Sequence, residues 1–301
     1  MTVAATREDP LLRAMPAIFV LIWATGFIVA RYGMPHAPPM KFLAMRYALS
    51  VACFLAWALV ARAAWPRGPV QWAHLAVTGI LMHALYLGGV WGAVKLGMGA
   101  GLSSLLVGLQ PVLTAFWVAA WGGRVAPRQW AGLALGLAGL LLVVWQKLGM
   151  GEVHPLNLSF ALVALCGITA GTLYQKRFVA PCDVRTANFV QLAAAFVVTL
   201  PLAVMETETM RWFHADGGLN GQLAGAMAWS VLGLTLGGSS LLYLLIQRGA
   251  ATTVTSLMYL VPPTTAVMAW ILFGEPITPA IVAGVALTAV GVSLVVRQAR
   301  S

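Results

Sequence analysis

Ten long apolar runs divide the sequence, and each is long enough to cross a lipid bilayer. A membrane helix needs about 20 apolar residues, because the hydrocarbon core is about 30 Å thick and a helix rises about 1.5 Å per residue. Only 9% of the 301 residues are charged and 60% are hydrophobic, whereas a soluble domain has about 25% charged residues. The sequence therefore predicts an all-α membrane protein and excludes a soluble enzyme, a disordered chain and a nucleic-acid-binding protein. The runs cover residues 14–31, 42–61, 71–94, 100–121, 128–146, 157–175, 186–205, 221–246, 252–273 and 278–296.

Basic residues outnumber acidic ones, with 18 Lys and Arg against 8 Asp and Glu. If ten spans cross the membrane, twelve of these 18 basic residues lie on the side that holds both termini. Because Lys and Arg accumulate in cytoplasmic loops, this bias predicts that both termini lie in the cytoplasm. The net charge of +10 is then a topology signal, and nucleic acid is not an expected partner.

The second half of the sequence repeats the first. Residues 109–144 and 260–296 share a framework of prolines and glycines at matching positions. Each half contains five runs, and an odd number of spans inserts the second half in the opposite direction. We therefore predict ten transmembrane helices arranged as two inverted five-helix repeats, residues 1–150 and residues 151–301. This architecture is typical of secondary transporters, in which two similar halves exchange conformations to alternate access.

Matching prolines interrupt two of the spans. Pro111 in the fourth span corresponds to Pro262 in the ninth, where Pro263 adds a second break. Proline removes a backbone N–H and frees a carbonyl one turn earlier. The pair predicts helix kinks, which serve packing alone or also open a cavity and act as a gate.

Polar and aromatic residues within the spans are candidates for substrate contact, because polar groups are costly in lipid and face the protein interior. Either they form hydrogen bonds between helices, or they line an apolar cavity that has a few polar groups. The sequence alone leaves both interpretations open. The candidates are Trp23, His83, Tyr86, Trp91, Gln110, Tyr174, Ser240, Tyr243 and Tyr259.

The few charges within or near the spans limit the mechanism. Arg46 lies about one turn inside the second span, where it either snorkels toward phosphates or binds the carboxylate of an amino acid. All eight acidic residues map to termini, loops or helix ends, which disfavours a cation pump or a proton exchanger. His83 is the mid-span group that titrates near neutral pH, and we expect it to orient substrate. No metal site and no cofactor are expected.

The fifth and tenth spans have faces of small residues at helical spacing and no charged residue in the middle. Such faces allow two helices to approach closely. They predict a scaffold contact or a dimer contact away from the substrate path, in a protein that is a monomer or a weak dimer. The small residues are Gly132, Gly136, Gly139, Gly284, Thr288 and Gly291.

Several of these segments together resemble a known family. The stretch at residues 23–27, Arg46 in the second span and the two Pro…Gly…Pro…Gly…Gly segments are similar to the EamA-type branch of the drug/metabolite transporter superfamily. Glu275 after Gly274 matches the family's frequent Gly-Glu pair, whereas Arg124 departs from it. The resemblance implies a secondary transporter without enzymatic activity, embedded in the bilayer and moving a small molecule.

Within that superfamily, the chain most resembles the bacterial YddG-type exporters of aromatic and other amino acids. The implied function is export of aromatic or neutral amino acids through a central cavity by alternating access. Exporters of nucleobases, sugars or drugs are the first alternative. An intramembrane enzyme is a more distant alternative, since the sequence contains neither a GxSxG nor an HExxH motif. A channel is equally distant, because the inverted repeat favours alternating access.

Overall fold

The computed structural model describes residues 10–120, 126–238, 241 and 260–296. Within this part of the chain there are twelve α-helices and two π-helical segments, and β structure is limited to an isolated bridge between Phe213 and Leu219. The first elements are α1 (Pro10–Gly33), α2 (Pro39–Val60), α3 (Pro69–Gly79), the first π segment (Ile80–Leu85), α4 (Tyr86–Lys95), α5 (Ala100–Val107), α6 (Gln110–Ala120) and α7 (Pro127–Gly149). The later elements are α8 (Pro155–Phe178), α9 (Val184–Met205), α10 (Gly221–Ala228), the second π segment (Trp229–Gly238), α11 (Val261–Phe273) and α12 (Pro279–Val296).

Six helical stretches of the described chain are long and apolar enough to cross a membrane. Three shorter apolar helices accompany them, so the protein is an all-helical, multi-pass membrane protein. The predicted eighth and ninth spans lie partly outside the described residues. The long stretches are Pro39–Val60, Pro69–Lys95, Ala100–Trp117, Pro127–Gly149, Pro155–Phe178 and Val184–Met205, and the shorter helices are Ala17–Gly33, Val261–Phe273 and Pro279–Leu294.

The fourth predicted span is broken in two. Helix α5 ends at Val107, a turn follows, and α6 begins at Gln110, so Pro111 lies in the first turn of the new helix. A proline is tolerated there because the N–H of a first-turn residue has no partner within its own helix. The break packs against the matching proline, since a Cβ placed on Gly108 would lie 2.9 Å from Cγ of Pro262. Pro262 and Pro263 likewise lie in the first turn of α11.

Helices that correspond in the sequence repeat pack against each other. Helix α2 packs on α9, α5 on α11, and α7 on α12. Other contacts occur in corresponding pairs. Helix α8 packs on α4, and in the repeat this contact corresponds to that of α1 with the second π segment. This reciprocal pattern is what a two-fold relation between two similar sets of helices produces.

The close approach of α7 and α12 depends on the predicted glycine faces. A Cβ at Gly139 would overlap the backbone of Gly284, and a Cβ at Gly291 would overlap the backbone of Gly132 and Gly136. In the sequence repeat Gly132 corresponds to Gly284, and Gly139 to Gly291. Each contact is therefore the counterpart of the other, and the two small-residue faces pack closely against each other within the chain.

Carboxylates hold helix N-termini at one end of the bundle. Glu206 accepts hydrogen bonds from the backbone N–H groups of Met40 (2.9 Å) and Lys41 (2.8 Å) at the start of α2. Glu275 accepts from Ala100 (2.9 Å) and from Gly101 (3.3 Å) at the start of α5. The first N–H groups of a helix lack intrahelical partners and carry a partial positive charge, so anionic acceptors stabilise them.

A buried ion pair completes this end. Glu152 accepts a hydrogen bond of 2.8 Å from the backbone N–H of Gly99, just before α5. Its second oxygen pairs with the ammonium group of Lys147, which is 3% exposed at the end of α7. These contacts join the loops that follow α4, α7 and α11.

Candidate functional site

Arg46 is a buried cation in the membrane-spanning part of α2, with 7% of its surface exposed. Its guanidinium donates two hydrogen bonds to Oγ1 of Thr235, from Nε at 3.3 Å and from Nη2 at 3.1 Å. The Thr235 hydroxyl in turn donates to the carbonyl of Ser230 at 2.7 Å. Among the described residues Arg46 forms no ion pair with a carboxylate. Its partner is thus a neutral oxygen in the second π segment.

Tyr47, the next residue on α2, reaches the first π segment. Its hydroxyl donates a hydrogen bond of 2.9 Å to the backbone carbonyl of His83, and the two rings meet edge-on with centroids 6.3 Å apart. Neighbouring residues of α2 therefore hold one π segment each. π-Helical turns are rare and frequently occur at functional sites.

Three further side chains belong to the same region as Arg46. Its charge acts on Tyr86 and on His83, and the His83 side chain interacts with Gln191 of α9. Gln191 corresponds to Arg46 in the sequence repeat, so both halves contribute to this region. We refer to these residues as the central cluster: Arg46, Tyr47, His83, Tyr86, Gln191 and Thr235.

The two candidate tryptophans lie in the hydrophobic core beside this cluster. Trp91 is 1% exposed and stacks on Phe42 with ring centroids 4.3 Å apart, so its ring is fully packed in this conformation. Trp23 on α1 is partly exposed, with its ring 5.4 Å from that of Phe19. Of the two, only Trp23 keeps part of its surface exposed.

Gln110 and Tyr174 each form a hydrogen bond with a side chain that is not part of the central cluster. Gln110 donates a hydrogen bond of 2.9 Å to Thr172 on α8, and the Tyr174 hydroxyl pairs with Nδ1 of His74 at 2.8 Å. His74 precedes His83 by nine residues, which is about 13 Å along a helix. Both candidates make hydrogen bonds between helices, which is one of the two interpretations that the sequence left open.

Three candidates, Ser240, Tyr243 and Tyr259, lie outside the described residues. Within the part that is described, no group of three metal-binding side chains is found. The three cysteines are free thiols.

Thr235, Tyr47 and both π segments were not among the sequence candidates. The sequence predicts continuous transmembrane helices here, whereas Ile80–Leu85 in the third span and Trp229–Gly238 in the eighth are π-helical. The two π segments share one feature that the sequence does show, which is that they lie in corresponding spans of the repeat. A threonine in an apolar helix carries no signal of its own.

An open cleft of about 450 Å³ lies at the carboxylate-rich end of the bundle, lined in part by His36, Lys95 and Arg211. Lys95 bridges from α4 to the loop after α9 through a 2.6 Å ion pair with Glu208. The Lys95 ammonium donates a hydrogen bond to Glu208 and holds the pKa of that carboxyl below its usual range.

Comparison with known proteins places this arrangement in a family. The family model described as "EamA-like transporter family" matches residues 14–145 and again residues 156–297. A crystal structure of another protein superposes with a TM-score of 0.64 at 18% sequence identity, covering 98% of this chain and 100% of the other. That likeness shows a shared fold.

Relatives with descriptive names match at low identity. A "Probable amino-acid metabolite efflux pump" of Escherichia coli (strain K12) is 26% identical over 66% of this chain and 64% of its own length. The "Uncharacterized inner membrane transporter YedA" of the same strain is 25% identical over 64% of this chain and 61% of its own length. The chain thus spans about three fifths of these two relatives. The "Uncharacterized transporter YvbV" of Bacillus subtilis (strain 168) is 25% identical over 93% of this chain and 89% of its own.

The two matched segments together cover most of the chain, and each contains the apolar helices described above. The chain is therefore a multi-pass membrane protein that belongs to the EamA-like transporter family.

Proposed function

We propose that this protein exports small metabolites with a carboxylate group, chiefly neutral and aromatic amino acids, by alternating access. The observation that carries this proposal is the buried guanidinium of Arg46, which has no carboxylate partner among the described residues. An unpaired charge is costly within a membrane protein and marks a substrate or ion pathway. A solute carboxylate supplies the missing partner.

The chemistry of Arg46 favours a carboxylate over other solutes. The edge of a guanidinium formed by Nε and Nη2 matches the two oxygens of a carboxylate, and such charge-assisted bonds have lengths of about 2.7–2.9 Å. The present bonds to Thr235, at 3.1 and 3.3 Å, are longer. Nucleobases, sugars and cationic drugs lack a carboxylate, so they fit this edge less well.

His83 and Tyr86 are proposed to orient the bound solute, and Trp23 to contact its apolar part. The described acidic residues all lie in loops or at helix ends, so a buried carboxylate that would exchange protons is absent from the described spans. We propose that the solute gradient drives export without proton coupling.

The proposed topology has ten spans in two inverted halves, residues 1–150 and 151–301, with both termini in the cytoplasm of a bacterial cell. Two matches of the family model, one in each half, support this division. The bias of Lys and Arg toward one side supports the orientation. The printed names of the relatives support amino acids as substrates and the inner membrane as the location.

Counterflow in proteoliposomes tests the proposal. A panel of labelled amino acids, their carboxamides and nucleobases is offered to vesicles preloaded with unlabelled solute, with and without a pH gradient. We expect trans-stimulated uptake of amino acids, no uptake of carboxamides, and no response to the pH gradient. Trans-stimulation also separates a carrier from a channel. Uptake of nucleobases without any amino acid would overturn the substrate assignment.

The role of His83 is tested in the same assay with His83→Gln. A variant that loses uptake equally at all pH values supports a role in orienting substrate. A variant that loses only a pH dependence shows that the histidine couples transport to protons.

A further inference from the structure

We propose that a solute carboxylate displaces the Thr235 hydroxyl from Arg46, and that this exchange releases the second π segment from α2. Thr235 is then a positioning residue that links solute binding to the conformational change. The inference rests on the proposed function, because it takes the carboxylate as the recognised group of the solute.

The first step is the competition for one edge of the guanidinium. Nε and Nη2 both donate to the same atom, Oγ1 of Thr235. This is the edge that a carboxylate binds with two parallel hydrogen bonds. A single neutral oxygen cannot match that geometry, so an arriving carboxylate takes over both donors. The solute and Thr235 cannot hold this edge of Arg46 at once.

The second step concerns where Thr235 goes. Its hydroxyl already donates to the carbonyl of Ser230 at 2.7 Å, five residues earlier in the same π segment. Thr235 therefore keeps a partner when Arg46 is withdrawn, and its hydroxyl is not left unsatisfied. The displacement is inexpensive for Thr235 because the hydrogen bond to Ser230 remains.

The third step is the consequence for the helices. Arg46 ties α2 to the second π segment, while Tyr47 ties α2 to the carbonyl of His83 in the first. Removing the Arg46–Thr235 contact leaves only the first π segment attached through these neighbours. A solute that binds Arg46 thus breaks the hydrogen bonds from α2 to the second π segment and leaves the hydrogen bond from α2 to the first π segment in place. A ligand shifts a conformational equilibrium only through such a difference in contacts between two states.

The test combines binding with hydrogen exchange in the purified full chain. The probe is L-phenylalanine, with L-phenylalaninamide as the analogue that lacks the carboxylate. In wild-type protein we expect L-phenylalanine, but not the amide, to speed amide exchange in peptides that cover residues 229–238. In Thr235→Val we expect fast exchange without ligand and a Kd about tenfold lower, since the competing oxygen is gone.

Two variants keep the result interpretable. Thr235→Ser retains the hydroxyl and is expected to behave like wild type. Thr169→Val removes another buried threonine hydroxyl, which bonds only to Leu165 within its own helix, and should change neither readout. A melting curve for each variant establishes that it is folded.

The outcomes separate the two proposals. If Thr235→Val binds L-phenylalanine with wild-type affinity and exchanges like wild type, the displacement is wrong while the proposed function stands. If wild-type protein binds no amino acid of the panel, the proposed function is overturned, and the displacement with it.

Discussion

Two buried cations of this bundle have opposite surroundings. Lys147, 3% exposed at the end of α7, forms an ion pair with Glu152, whose other oxygen accepts from the backbone before α5. Arg46, 7% exposed in α2, meets a hydroxyl instead of a carboxylate. Glu152 thus holds a helix end to the neighbouring loop, whereas Arg46 in the interior has no carboxylate partner among the described residues.

The contrast also separates stability from transport. A buried charge that has lost its fixed partner destabilises a fold, so Lys147 and Glu152 depend on each other. Among the described residues Arg46 has no such partner, so we expect its removal to relieve the bundle of an uncompensated charge. Substitutions at the two sites should therefore affect different measurements.

The largest effect on transport is expected from Arg46→Gln. Loss of two charge-assisted hydrogen bonds to a solute removes about 3 kcal/mol of binding, or about 100-fold in amino-acid counterflow. The melting temperature in detergent should stay the same or rise. Arg46→Lys keeps the charge but lacks the planar edge of a guanidinium, so its counterflow should lie between that of wild type and that of Arg46→Gln. Wild-type counterflow in Arg46→Gln would contradict the assignment of Arg46 as the anion site.

A large effect on stability is expected from Glu152→Gln. It leaves the Lys147 ammonium buried without its counterion, which costs about 3 kcal/mol or more. Thermal unfolding in detergent measures the loss. The double variant Lys147→Met with Glu152→Gln should recover much of it, because no unpaired charge remains. If the single and double variants were equally stable, the contribution of Glu152 to stability would not come from its ion pair with Lys147.

A smaller effect is expected from Glu275→Gln. The neutral amide still offers one oxygen to the start of α5, but the charge that favours the helix N-terminus is lost, at a cost of about 1 kcal/mol. The melting temperature should fall slightly, with counterflow unchanged. Asp216→Asn, in the exposed loop before α10, is the matched control and should leave the melting temperature unchanged.

The smallest effect is expected from Glu208→Gln. Its pair with Lys95 lies in the open cleft, with 61% of the Glu208 side chain exposed, so water and salt screen it to well under about 1 kcal/mol. Because Lys95 lowers the pKa of Glu208, the contribution is present above the carboxyl's unfolded pKa and is lost as pH falls through its folded pKa. The difference from wild type in a melting scan should disappear at high salt. A difference that persists in high salt would show that the pair is less exposed to solvent than this geometry implies.

The helices were predictable, because their length and apolarity are set by the bilayer. The predicted run at residues 42–61 compares with Pro39–Val60 in the structure, and the run at 186–205 with Val184–Met205. The matching prolines also predicted where the fourth span breaks. These features depend on local sequence and on the membrane.

The central cluster was predictable only in part. Arg46 and His83 stood out because polar groups are rare in spans, but Thr235 did not, since its role comes from a partner 189 residues away. The π segments contain no proline that would indicate a distortion of the helix. Their tertiary hydrogen bonds, from Tyr47 to His83 and from Arg46 to Thr235, depend on the assembled bundle.

The reciprocal glycine contacts of α7 and α12 have the form of an interface between two identical subunits. Two separate five-helix proteins that met through such a face would come apart on dilution, because their association depends on concentration. In this chain both helices belong to one molecule, so the local concentration of each face for the other is fixed by the connecting segments. The contact between the two glycine faces should therefore persist at any protein concentration.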